Sequence, residues 1–179
     1  MGYWGYFVVG RGERPLAELD ALAGARGMTL RTSAPGGWQI WEYPSGDGGI
    51  GNMNDLAGQT GAPALFGYVM DSACVVVEAA APESGAWTTC LARAATAGYL
   101  GAGTGGGEQE GVEREGLTLE DYFLEPRDAA DRAVEWAAEA GHTVSAEALV
   151  EVLTAEPGPG TVAENLFFRL LDRLGVVPL

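Results

Sequence analysis

Twice in the first hundred residues, two stretches of alternating side chains are separated by only two or three turn-forming residues. MTLRTSA is followed through Pro35, Gly36 and Gly37 by GWQIWEY, and PALFGYVM is followed through Asp71 and Ser72 by CVVVEAAA. Period-two alternation interrupted by so short a turn can only be a β-hairpin, because parallel strands need a crossover of a dozen or more residues. A third alternating stretch, Tyr3 to Val9, opens the chain with Tyr3, Trp4, Tyr6 and Phe7. These pairs predict a mostly antiparallel sheet with helices packed on it, an α+β fold. The opening strand and GWQIWEY both place aromatic residues on both faces. One face then packs helices, and the other has to meet the C-terminal region, a partner or a ligand.

Helices are expected between and after the strands. Pro15 with Leu16, Leu19, Leu22 and Ala23 predicts a first helix ended by Gly27, and a short one is expected around Met53 to Gln59. From about Ser84 to Ala97 a helix would gather Trp87, Cys90, Leu91 and Ala94. Residues 99–116 mix glycine with glutamate and lack an apolar period, so they read as a linker or exposed loop between a sheet domain, residues 1–98, and a helical segment, residues 117–179. Three helices are expected in that segment: Leu119 to Ala140, broken or kinked near Pro126; Ala146 to Thr154 after Ser145; and Val162 to Leu174, opened by a Thr161/Glu164 capping box and closed by Gly175. Phe168 lies off the apolar stripe of this last helix and is expected to pack on the sheet or on a second chain.

Residue usage excludes several chemistries. Every Lys or Arg position is arginine, so neither a Schiff-base lysine nor a P-loop lysine exists. His142 is the single histidine, which removes multi-histidine metal sites. It sits at a helix end, where an imidazole serves the last-turn carbonyls. Cys74 and Cys90 suit buried, reduced thiols, and the sequence has no apolar run approaching a membrane span; no targeting signal and a cytoplasmic location are expected. Gly46, Gly48 and Gly51 follow the order GxGxxG with Asp71 downstream, but the preceding strand alternates and the following helix is short, so the loop reads as a plain glycine loop. Gly101, Gly103 and Gly106 precede an acidic stretch that would repel phosphate. No cofactor and no metal site is expected. Among the carboxylates, Glu42, Asp71 and Glu78 are candidates for a desolvated acid, against solvated edge positions as the plainer reading.

Charge is the most informative composition. The formal net charge is −15, with nine acids and five arginines before Tyr99 and sixteen acids and five arginines after it. Nucleic acid is disfavoured as a partner, since phosphates repel such a surface. On the helix DAADRAVEWAAEAG, Asp128, Asp131, Glu135 and Glu139 share a face at spacings that cost helix stability. Trp136 lies at the margin of that face. These five residues are the candidate partner-binding set, with Trp136 as the anchor. The functional expectation is a non-enzymatic acidic interaction protein, of immunity or antitoxin-like character, that binds a basic protein partner. The alternative is a small-ligand or enzymatic domain whose aromatic sheet face uses carboxylates as acid/base groups; self-association into a homodimer through that face is the third.

Overall fold

The computed structural model describes residues 2–44, 50–102 and 123–176. Six strands form one sheet: β1 (Gly5–Arg11), β2 (Thr29–Ala34), β3 (Trp38–Pro44), β4 (Ala64–Met70), β5 (Cys74–Ala80) and β6 (Trp87–Leu91). Their order is β2-β3-β1-β4-β5-β6 and every neighbouring pair is antiparallel. The helices are α1 (Met53–Thr60), α2 (Arg93–Ala102), α3 (Pro126–Glu139), α4 (Ala146–Thr154) and α5 (Glu164–Leu174). The fold is α+β, and no described helix is long and apolar enough to cross a membrane.

Both expected hairpins form. The β4–β5 connection is three residues, with Asp71 and Ser72 at φ 55° and 54° and the Ala73 amide donating to the Met70 carbonyl. Neither residue is glycine, so the left-handed backbone needs outside support. The chain start supplies part of it: the Gly2 amide donates to Asp71 Oδ1 and the Tyr3 amide to Ser72 Oγ, at 2.7 and 2.8 Å. The other part comes from α5, where Glu164 accepts the Ser72 hydroxyl at 2.9 Å and the Ala163 amide donates to the Ser72 carbonyl. That use of Glu164 replaces the expected capping box. Thr161 instead donates to the Gly158 carbonyl, and α5 starts at Glu164 without a side-chain cap. Gly175 closes α5 in the left-handed conformation as expected, at φ 83°.

Two expected helices are replaced. Residues 15–27 make two 3₁₀ turns, Leu16–Glu18 and Asp20–Leu22, with Leu19 extended between them. Side chains from elsewhere capture the backbone there: the Leu16 amide donates to Gln39 Oε1 and the Ala21 amide to Gln59 Oε1. Leu16 and Leu22 are thereby buried against the sheet, and packing overrides helix propensity. The stretch expected to start a helix at Ser84 is instead strand β6, which pairs with the free edge of β5. The chain then turns into α2 through Ala92, a fully buried alanine at φ 58°. The expected linker begins inside α2, which runs to Ala102; the rest of it, and the expected helical residues 119–122, lie outside the described residues.

Helices cover the sheet on both faces, where the sequence pattern led to an expectation of one. α3, α4 and α5 share a core with Phe7, Val9, Trp38, Ile40, Leu65 and Val77 on one face. On the other, Val8, Ala64, Phe66 and Ala80 pack with the 3₁₀ turns and α1. Gly67 admits Phe167 to the sheet surface, since a Cβ there would stand 2.5 Å from its ring. Phe168 packs on the sheet as expected, edge-on to Phe7 at 5.2 Å. Trp136 of α3 is fully buried, 6.0 Å from Trp38, and its indole N–H donates to both the Ala64 and Ala80 carbonyls, at 3.2 and 3.1 Å.

Trp136→Phe keeps most of the packing but orphans that donor's partners, and is expected to lower unfolding free energy by about 1–3 kcal/mol. Trp136→Ala adds a cavity and is expected to cost about 3–5 kcal/mol. Denaturant unfolding measures both; equal stability of wild type and Trp136→Phe would show that the bonds to Ala64 and Ala80 contribute nothing.

Candidate functional site

Of the five residues expected to contact a partner, three face solvent. Asp128, Asp131 and Glu135 are exposed on α3, with Glu135 3.6 Å from Arg132. Glu139 is tied into the β5–β6 connection, where it accepts from the Glu83 amide at 2.8 Å and from the Ser84 amide and hydroxyl at 2.9 Å. Burial opposes its ionisation, but those donors outweigh burial and hold the carboxyl below its ordinary range. Trp136 corrects the expected anchor role: it is fully buried, and a partner cannot touch it while α3 stays docked. The sequence carries a partial signal for this, which the docking of α3 completes. Ala129, Ala130, Ala133 and Ala137 flank it, all buried, and small neighbours leave room for one large ring to enter the core.

The aromatic residues of the opening strand separate as alternation requires. Tyr3 stacks on Phe7 at 5.5 Å on the face covered by α5. Burial, and then the nearby Glu42 carboxylate, pushes the Tyr3 phenol well above its ordinary range. Arg31 stands over both Phe7 and Phe168, 5.3 Å from each ring centre, and pairs with Glu42 at 3.2 Å. A register shift between Leu30 and Thr32 in β2 places it there, and the same bulge disrupts an edge strand that would otherwise invite pairing.

Trp4 and Tyr6 belong to the opposite face. Tyr6 is in direct register with Tyr43 on β3 and Tyr68 on β4, with ring centres 6.3 and 4.5 Å away. All three tyrosines are partly exposed, and Trp4, 38% exposed, lies 6.4 Å from Tyr68. The next row along the strands runs Leu30, Trp41, Val8, Phe66 and Glu78. A groove of about 330 Å³ lies between Leu30, Trp41, Pro15 and Glu13 at the sheet edge. Glu78 is half-buried beside Phe66; burial pushes its carboxyl up, and the Met53 amide at the head of α1 offsets part of that. Burial likewise raises the Tyr6 phenol, with Tyr68, Glu78 and Tyr43 adding to it. Sequence alternation identified Glu78 as one candidate desolvated acid, but not that it shares a face with the tyrosines, because that depends on β1 lying between β3 and β4.

The remaining candidates have structural roles. His142 donates its amide to the Ala137 carbonyl after Gly141 at φ 96°, which closes α3, and its ring packs on Gly175. Cys74 and Cys90 are buried and not joined in a disulfide, and burial pushes the Cys74 thiol up, away from the reactive thiolate. Cys90 lies in β6 and not in a helix. Asp71 accepts from Gly2 in the hairpin turn, and Glu42 pairs with Arg31. Gly46, Gly48, Gly103 and Gly106 lie outside the described residues, but β3 and β4 are separated by β1, so the loop before α1 does not join the adjacent parallel strands of a dinucleotide fold. Among the described residues no group of three or more His, Cys, Asp or Glu is placed to hold a metal.

No family model, curated protein or solved structure matches the chain.

Glu78 titrates with a raised pKa in the folded state, so its contribution to stability is present below the unfolded value and lost as pH rises through the folded one. Glu78→Gln is therefore expected to equal the wild type in acid and to exceed it increasingly from about pH 4.5 upward, as read from melting temperature against pH. A constant difference at all pH values would show that Glu78 is not desolvated.

Proposed function

We propose that the chain is a non-enzymatic, cytoplasmic interaction protein of immunity or antitoxin-like character that binds a basic protein partner. The observation that carries this reading is the unequal use of the two signs of charge. Arg31 is held by Glu42 and two phenylalanine rings, Arg132 donates to the Ser84 and Ala86 carbonyls, and Arg11 donates to the Gly36 carbonyl. These arginines serve the fold. Asp128, Asp131 and Glu135 on α3, and Glu147 and Glu151 on α4, face solvent. In a chain of net charge −15, α3 and α4 together carry six acids against two arginines, Arg127 and Arg132, and this negative excess raises the encounter rate with a basic surface. The same field repels nucleic acid. The desolvated Glu78 beside the tyrosine row favours a second reading, a small-ligand or enzymatic site with a carboxylate as its acid/base group.

Partner capture followed by association kinetics with the purified partner tests the first reading. The expected result is a stoichiometric complex with a basic protein, whose association rate falls about tenfold or more when Asp128→Asn, Asp131→Asn and Glu135→Gln are combined or when salt is raised. A neutral or acidic partner, or a rate indifferent to both changes, would contradict it.

A further inference from the structure

The fold contains its own example of how it holds an arginine. On the face under α5, the Arg31 guanidinium lies 5.3 Å from two aromatic ring centres and 3.2 Å from a carboxylate. The opposite face repeats the rings and the carboxylate. Tyr43, Tyr6 and Tyr68 stand side by side across three strands, and Glu78 is diagonal to Tyr68 on the same face, since Tyr68 is opposite Val76 and Phe66 opposite Glu78. Phe66 joins the two groups, edge-on to Tyr6 at 5.3 Å. No described ion pair includes Glu78. α1 covers the same face towards Ala64 and Ala80, while the tyrosines beside it keep part of their surface exposed.

A half-buried carboxylate without a cation is costly, and a cation supplied from outside recovers the attraction in a site already partly cleared of water. The rings decide which cation fits. A guanidinium is planar, weakly hydrated and able to stack on tyrosine while its N–H groups meet the carboxylate; an ammonium is compact and strongly hydrated, and gains less from the rings. We propose that the tyrosine row and Glu78 form the seat for an arginine side chain presented by a basic protein partner. This rests on the reading that the partner is basic, and it places the specific contact on the sheet face opposite α3. The helical acids then act at long range and the tyrosine row at short range.

The test is NMR titration of protein carrying ¹³C-labelled tyrosine with a short oligo-arginine peptide, an oligo-lysine peptide of equal length, and N-acetyl-arginine amide, all at physiological salt. The ring signals of Tyr6, Tyr43 and Tyr68 are expected to shift saturably, with the arginine peptide bound about fivefold or more tighter than the lysine peptide. Glu78→Gln, which folds without the buried charge, and Tyr43→Leu, which keeps bulk without the ring, are each expected to weaken binding about fivefold or more. Asp131→Asn with Glu135→Gln is expected to leave the ring shifts at saturation unchanged. If the peptides perturb only α3 and α4, the arginine seat is wrong while the basic-partner reading stands. If N-acetyl-arginine amide binds as tightly as the peptide, the occupant is a small cation and the protein-partner claim fails. If nothing binds, both fail.

Discussion

One indole N–H holds the two halves of this chain together. The carbonyls of Ala64 and Ala80 face each other where β4 and β5 pair, and Trp136 of α3 donates to both from a fully buried position. Buried carbonyls at the end of a ladder need a donor, and an indole delivers one together with the largest apolar surface of any side chain. The alanines around Trp136 allow α3 to sit low on the sheet, and Trp38 meets the ring from β3. α4 and α5 then pack alongside α3 in the same core. The β5–β6 connection is fixed by the same helix, through Glu139 and Arg132. α3 is thus fastened along one side by charge-assisted bonds to a loop and in its middle by the tryptophan.

Sealing one face in this way leaves the properties of the other free to vary. The helical layer buries Phe7 and Phe167 and half-buries Tyr3 and Phe168, while Arg31 stays exposed at the sheet edge above the rings. The second face has shorter cover, two 3₁₀ turns and α1, and leaves the tyrosine row partly exposed. A sheet can carry aromatic residues on both faces only when both are shielded or one has a binding task. The partial exposure of Tyr6, Tyr43 and Tyr68 and the desolvation of Glu78 support the binding task here. Charge works in the same direction, since exposed acids outnumber arginines on α3 and α4.

The elements legible in the sequence are those set by neighbours in the chain. The two hairpins follow from alternation and short turns. α4 follows from Ser145, whose side chain accepts the Ala148 amide at 3.3 Å, and the end of α5 follows from Gly175. The misread elements are decided at long range. Leu16, Leu19 and Leu22 have helical spacing, yet Gln39 and Gln59 capture the backbone amides of Leu16 and Ala21. Trp87 and Leu91 fit a helix stripe as well as a strand, and the open edge of β5 chose the strand. The candidate site shows the same division. Exposed acids on α3 could be read from spacing, but the burial of Trp136 depends on where α3 docks. The tyrosine row depends on β1 lying between β3 and β4, which no local pattern encodes.

If Trp136 makes the sheet and the helical layer one cooperative unit, both must open together. Native-state hydrogen exchange of the Trp136 indole proton, the amides of β4 and β5, and the amides of α3 and α5 measures this most directly. The predicted result is a common opening free energy for all of them, equal to that of global unfolding. Exchange of α3 and the indole proton at a clearly lower opening free energy than β4 and β5 would mean that the helices are an independent layer, and that the bonds to Ala64 and Ala80 do not hold the fold together.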